Sequence, residues 1–77
     1  MKPADLARDL REGEGTPIIF IHGWLGSRKF WQLITPYLEI ENPLIFYDQR
    51  CHGDSPCSKF KVETLAEDLE NLIKELE

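Results

Sequence analysis

The sequence predicts an α/β fold, a parallel βαβ unit plus a C-terminal amphipathic helix, and three observations carry that prediction. Ile18-Ile19-Phe20-Ile21 and Leu44-Ile45-Phe46-Tyr47 are apolar runs of strand length. The first is apolar on both sides of the pleat, with Ile18 and Phe20 pointing one way and Ile19 and Ile21 the other. A parallel sheet covered by helices on both faces calls for that pattern. Between the runs, Phe30, Trp31, Ile34, Tyr37 and Leu38 recur at spacings of three and four, the apolar face of a helix. After them, Val62, Leu65, Ala66, Leu69, Leu72, Ile73 and Leu76 line one face of a longer helix over Lys61 to Glu77.

Taken in order, Leu6, Ala7 and Leu10 stand at helical spacing and Pro3 suits a first turn, so residues 3–11 predict a short helix. Glu12-Gly13-Glu14-Gly15 interrupts regular structure, and Pro17 opens a strand that runs from Thr16 to Ile21. Ser27 is the expected N-cap of the next helix, which Pro36 ends near Thr35. Glu41-Asn42-Pro43 turns the chain into the second strand, and a right-handed crossover makes the two strands parallel. Asp48 to Lys59 is a polar loop. The final helix has Glu75 and Glu77 at its C-terminal end and no Gly cap, the look of a helix cut at its end.

The whole chain is therefore expected to be a single partial domain, residues 1–15 forming an N-terminal segment and residues 16–77 the strand-helix-strand-helix unit. Two parallel strands leave both sheet edges unpaired, and such a pair is marginal alone. This predicts either the opening part of a larger sheet or a module that pairs its edges with itself, a partner or a complementing fragment.

Composition narrows the partners. A net charge of -5 with no basic stripe argues against nucleic acid. Nowhere do 18 apolar residues follow one another, and the first residues lack a signal-peptide core, so no membrane association and a cytoplasmic location are expected. Cys51 and Cys57 are too few for a secreted disulfide framework and are expected to be reduced thiols, although a bond between them is sterically possible. Cys51, His52, Asp54 and Cys57 are ligand-capable, but their spacing is not that of a structural zinc knuckle and no second pair exists. No metal and no cofactor are expected.

Two stretches are placed to do chemistry. The first strand stops at His22-Gly23, and Gly26-Ser27 opens a helix shortly after. Parallel sheets hold their ligands at that edge. Gly23 allows close approach of the backbone, and the amide of Trp24 is free to point into a cleft as an oxyanion donor; alternatively, Gly23 and Gly26 only turn the chain. The second stretch, Asp48-Gln49-Arg50-Cys51-His52-Gly53-Asp54-Ser55, follows the second strand at the same edge. Phe30, Trp31 and Tyr37 read as core, Trp24 as a candidate for the mouth of a pocket, and Arg28 and Lys29 as solvated surface charge or, alternatively, as an anion-attracting pair with the free amides of a helix start.

Together, His22-Gly23-Trp24, Gly26-Ser27, Trp31, Tyr47-Asp48-Gln49-Arg50, His52-Gly53-Asp54-Ser55 and Leu65-Ala66-Glu67-Asp68-Leu69 resemble the α/β-hydrolase family from about Gly15 to Leu76. The resemblance implies a three-layer αβα sheet and hydrolysis of an ester, thioester or related acyl bond, with a small acyl or ester substrate once further chain completes the site. It implies that Trp24 gives a backbone amide to the oxyanion hole, with His22 and Gly23 shaping that loop. It further implies that Asp48, Arg50, His52, Gly53 and Ser55 form an architectural loop at the cleft edge. Cys51 departs from the family, which has a Gly there, so a positive φ at this residue would be strained. The next family element, a strand carrying Gly-x-Ser-x-Gly, is absent, as are the acid and the catalytic His. The chain is thus expected to stop before the nucleophile elbow and to be inactive alone.

Overall fold

The computed structural model describes residues 5–76. Its sheet has three strands, β1 (Arg8–Arg11), β2 (Ile18–Ile21) and β3 (Leu44–Tyr47), in the spatial order β1-β3-β2. β2 runs parallel to β3, with Ile19 opposite Ile45 and Ile21 opposite Tyr47. β1 runs antiparallel to β3, with Arg8 opposite Tyr47 and Arg11 opposite Leu44.

The alternation read from the sequence holds on β2 and sorts the two helices onto opposite faces. On one face Phe20 packs between Phe46, at 5.1 Å, and Trp31 of α1 (Arg28–Ile34), at 5.2 Å. On the other, Ile19 and Tyr47 meet Leu69, Leu72 and Leu76 of α2 (Val62–Leu76), with Leu6 closing the cluster. β3 is the middle strand, so all four of its residues are buried, and this is why its run has no polar position. The result is a small αβα sandwich.

Three expectations are corrected. Residues 8–11 form a strand where helical spacing predicted a helix; Pro3 of that predicted helix lies outside the described residues. Leu6, Ala7 and Leu10 fit a helical stripe by spacing, but only Leu6 is buried, and Leu10 is 59% exposed. The strand is an edge whose charges find distant partners: Arg8 meets Glu75 at 3.2 Å, and Asp9 meets Arg28 at 2.8 Å. Charged residues are tolerated on an edge strand because one side of it faces solvent. Second, β1 pairs with the side of β3 that β2 leaves free, so the sheet is mixed, and among the described residues its open edges are the outer sides of β1 and β2. Third, Tyr37 is 88% exposed and Phe30 half exposed, so of the three aromatics read as core only Trp31 serves there. Pro36 is the reason for Tyr37: it sits in a 3-10 turn, Thr35–Tyr37, that ends the helix and swings the ring outward.

The remaining boundaries follow from local chemistry. Ser27 is extended, at φ -157°, and its hydroxyl accepts the Lys29 amide, which is the N-cap geometry expected of it. Thr64 Oγ1 accepts the Lys61 amide and donates to the Lys59 carbonyl at 2.5 Å, fixing the entry to α2. Asn42 Nδ2 donates to the Thr16 carbonyl and ties the turn before β3 to the start of β2.

Leu72, fully buried, is the α2 contact that joins Leu6 to Tyr47. Leu72→Ala is expected to lower unfolding free energy by about 2–5 kcal/mol. Tyr37→Ala, at an exposed position, is expected to change it by no more than about 0.5 kcal/mol. Paired urea titrations followed by circular dichroism measure both.

Candidate functional site

Because β2 and β3 are parallel, the loops that follow them emerge at one edge of the sheet. These are residues 22–27 and residues 48–61, and a network of buried polar groups joins them. His22 and His52 are both buried, with ring centroids 4.9 Å apart. The Gln49 amide donates to His22 Nε2, and the Leu25 amide donates to His52 Nε2, each at 3.0 Å. On the opposite side of each ring, Nδ1 lies against a carbonyl: Gly23 at 2.7 Å for His22 and Arg50 at 3.0 Å for His52. An N–H pointing at Nε2 requires a lone pair there, and a carbonyl facing Nδ1 requires a proton, so the partners assign both imidazoles as neutral Nδ1–H tautomers. Each histidine is a clip between backbone segments.

The first loop is bent tightly. Gly26 N–H returns to the Gly23 carbonyl at 3.0 Å, and Leu25 adopts a left-handed φ of 68°. A side chain on Gly26 would lie 3.1 Å from that carbonyl, whereas Gly23 has open space beyond its Cα. Among the described residues the Trp24 amide has no hydrogen-bond acceptor, although the amides of Leu25 and Gly26 on its C-terminal side are both engaged. His22, Gly23, Trp24, Gly26 and Phe30 line a shallow, largely apolar cleft of about 350 Å³ beside it. Trp24 itself is 75% exposed.

Asp48 anchors the second loop. Its carboxylate is fully buried and accepts the Arg28 amide at 2.6 Å and the Asp54 amide at 2.9 Å, while the Arg28 guanidinium pairs with it. Burial, the largest single influence, pushes this carboxyl up, but the two amides and the guanidinium together pull it below the ordinary carboxylate range. Gly53 makes room for the carboxylate. It sits at φ 51°, and a Cβ there would collide with the Asp48 carboxylate. Ser55 Oγ donates to the Asp48 carbonyl at 2.6 Å and accepts the Ala7 amide at 2.9 Å, joining the loop to the segment that enters β1.

Arg50 reaches in the other direction. Its Nε and Nη2 meet both oxygens of Asp68 on α2 at 2.6 and 2.7 Å, and its Nη1 donates to the Ser58 carbonyl. The forked hydrogen bonds to Asp68 hold the guanidinium charged, above its ordinary range. Cys51 and Cys57 are joined in a disulfide. This corrects the expectation of reduced thiols: the Cys51 amide donates to the Pro56 carbonyl at 2.9 Å, folding the loop back so that the two sulfurs meet.

A marine microorganism esterase of known structure superimposes on 94% of the chain with a TM-score of 0.84 and 34% identity, covering 28% of the esterase. The chain has the fold of the α/β hydrolases. Two curated relatives agree. A soluble epoxide hydrolase from a Corynebacterium species is 35% identical across 83% of this chain and 23% of its own length. An sn-1-specific diacylglycerol lipase from Danio rerio is 33% identical across 96% of this chain and 25% of its own. No protein-family model matches the chain. The chain spans about a quarter of the length of these relatives.

All eight residues singled out from the sequence, His22, Gly23, Trp24, Asp48, Arg50, His52, Gly53 and Ser55, lie in the two adjoining loops. Two further residues escaped. Arg28, read as surface charge, is paired with Asp48 and Asp9, and the contact reaches across 20 positions of sequence. Asp68 was legible: with Leu65, Leu69 and Leu72 it stands at helical spacing on the apolar stripe of α2, and a carboxylate there calls for a buried cation.

Two outcomes follow from Asp48. Gly53→Ala is expected to cost roughly 2–4 kcal/mol, from the left-handed φ and from a displaced carboxylate, as read by thermal denaturation. A carboxyl with its folded pKa depressed adds stability that is complete above the unfolded value, about pH 4, and is lost as pH falls below it. Stability measured from pH 6 to pH 2 should therefore fall more shallowly in Asp48→Asn than in the parent chain.

Proposed function

We propose that this chain supplies the oxyanion-binding backbone of an α/β-hydrolase acting on an ester, thioester or related acyl bond. The observation that carries the reading is the Trp24 amide, which has no acceptor among the described residues and belongs to a residue that lines an apolar cleft. A tetrahedral intermediate places negative charge on one oxygen, and a fixed N–H aimed at that oxygen lowers the barrier without reorganising. The amides of Leu25 and Gly26, the next two in the loop, are held by the His52 ring and the Gly23 carbonyl, so this part of the turn is fixed before substrate arrives.

The nucleophile, acid and general base come from elsewhere in this reading. Ser27 Oγ caps α1 and Ser55 Oγ is bonded on both sides, and no serine hydroxyl meets a histidine ring among the described residues. The relatives' named reactions span an epoxide hydrolase, a lipase and a pimeloyl-carrier-protein methyl ester esterase, which share an oxygen that gains charge as a bond breaks. That shared need supports an oxyanion site and leaves the choice of substrate to other parts of the fold. A second reading, a module that pairs the open edge of β2 with a second copy or a complementing fragment, is favoured by the unpaired outer side of Ile18–Ile21. Sedimentation equilibrium as a folded monomer at high concentration would remove it.

The oxyanion reading is tested in a chimera in which residues 5–76 replace the matching portion of the marine esterase. Trp24→Pro deletes one N–H, and is expected to lower kcat for p-nitrophenyl acetate by about 10²–10³ with KM little changed. Equal kcat in the two chimeras would overturn the assignment. The isolated chain is expected to show no turnover above buffer, and turnover abolished by changing one serine would refute the division of labour.

A further inference from the structure

The disulfide encloses the residues that hold the two loops together. Between Cys51 and Cys57 lie His52, whose Nε2 accepts the Leu25 amide, Asp54, whose amide meets Asp48, and Ser55, whose hydroxyl bridges Asp48 and Ala7. Two residues with side chains adopt left-handed backbone at either end of the His52 contact: Cys51 at φ 67° and Leu25 at φ 68°. Such conformations persist only where the surroundings over-determine them. Cys51 is held by the disulfide and by its amide bond to Pro56, and Leu25 by its amide bond to His52 and by the Gly23–Gly26 turn.

We infer that the Cys51–Cys57 disulfide is a redox clasp that keeps His52 under the Leu25 amide, and that reducing it releases the loop carrying the Trp24 amide. The release runs through backbone strain. With the sulfurs separated, Cys51 is free to return to negative φ, and that rotation carries the Arg50 carbonyl and the His52 ring it holds. Leu25 then loses its acceptor and with it a restraint on its own left-handed φ. Trp24 precedes Leu25 in the same turn and its carbonyl belongs to the Leu25 peptide, so freeing that peptide loosens the neighbouring Gly23–Trp24 peptide that carries the Trp24 amide.

The chemistry is thiol exchange. The thiolate of a dithiol reductant attacks Sγ of the exposed Cys57, the protein S–S bond breaks, and Cys51 leaves as a thiolate that takes a proton. The reductant's second thiol displaces Cys57 and closes the reductant's own disulfide, so two electrons and two protons pass to the protein. A cytoplasmic location, as proposed from the sequence, would supply such a thiol reductant.

The structural coupling stands independently of catalysis; only its consequence for turnover rests on the oxyanion reading. It is tested on the full 77-residue chain, labelled with nitrogen-15, by amide hydrogen exchange with and without dithiothreitol. Reduction is expected to accelerate Leu25 exchange at least about tenfold while the amide of Phe46 in the central strand is unchanged. The double variant Cys51→Gly with Cys57→Ser, which keeps the left-handed turn without the bond, is expected to show no response to the reductant. Unchanged Leu25 exchange, equal acceleration at Phe46, or a response in the double variant would each overturn the clasp. The esterase chimera then separates the two readings: a Leu25 response with no loss of turnover on reduction would retain the clasp and count against the oxyanion assignment.

Discussion

The structure depends on one buried carboxylate. Asp48 directly follows the central strand, and its side chain takes the first amide of α1, an amide of the loop before α2 and the Arg28 guanidinium. A carboxylate this far from water costs several kcal/mol unless its lone pairs are filled, and here two backbone N–H groups and a cation fill them. The downward shift of its carboxyl is the net result of that competition. A buried anion at a helix N-terminus also meets the positive end of the helix dipole, a setting that α1, with no acidic residue in its first turn, does not provide for itself.

Polar anchoring of this kind matters more in a small sandwich than in a large one. Six apolar side chains are buried among the described residues, four of them from β3 alone, so the loops cannot be held by apolar packing. Arg50 and Asp68 do for the far end of the polar loop what Asp48 and Arg28 do for the near end. Each pair joins the sheet edge to one helix, so the two layers are positioned by charge pairs set at the same edge as the cleft.

The fold was legible in the sequence where the local pattern and the tertiary answer coincide. The uninterrupted Leu44-Ile45-Phe46-Tyr47 reports burial directly, the two-sided run of β2 and the stripe of α2 report it in part, since Ile21, Val62 and Ile73 are exposed, and the Ser27 cap and Pro36 stop report backbone chemistry. β1 was not legible. Arg8, Asp9 and Arg11 carry no periodic apolar signal, and the strand exists because β3 offers it a backbone partner some 36 residues away. At the site, residue identities were legible and partners were not: Arg28 finds Asp48, and Cys51 finds Cys57, only after the loops have folded against each other. The positive φ at Cys51 was foreseeable from the glycine that the family resemblance expects there.

The same network limits what this portion of the fold does chemically. Histidine is the ordinary general base of acyl transfer, but a base needs one ring nitrogen that faces the reacting group. His22 has Gln49 N–H on one nitrogen and the Gly23 carbonyl on the other, and His52 has Leu25 N–H and the Arg50 carbonyl. Neither ring has a nitrogen left over, and protonating Nε2 of either would set N–H against N–H. Asp48, Arg50 and Asp68 are equally committed, each spending its charge on another element of the fold. Among the described residues the Trp24 amide, on a residue that lines the cleft, has no acceptor, and a backbone amide of this kind can donate to a charge but cannot itself move a proton.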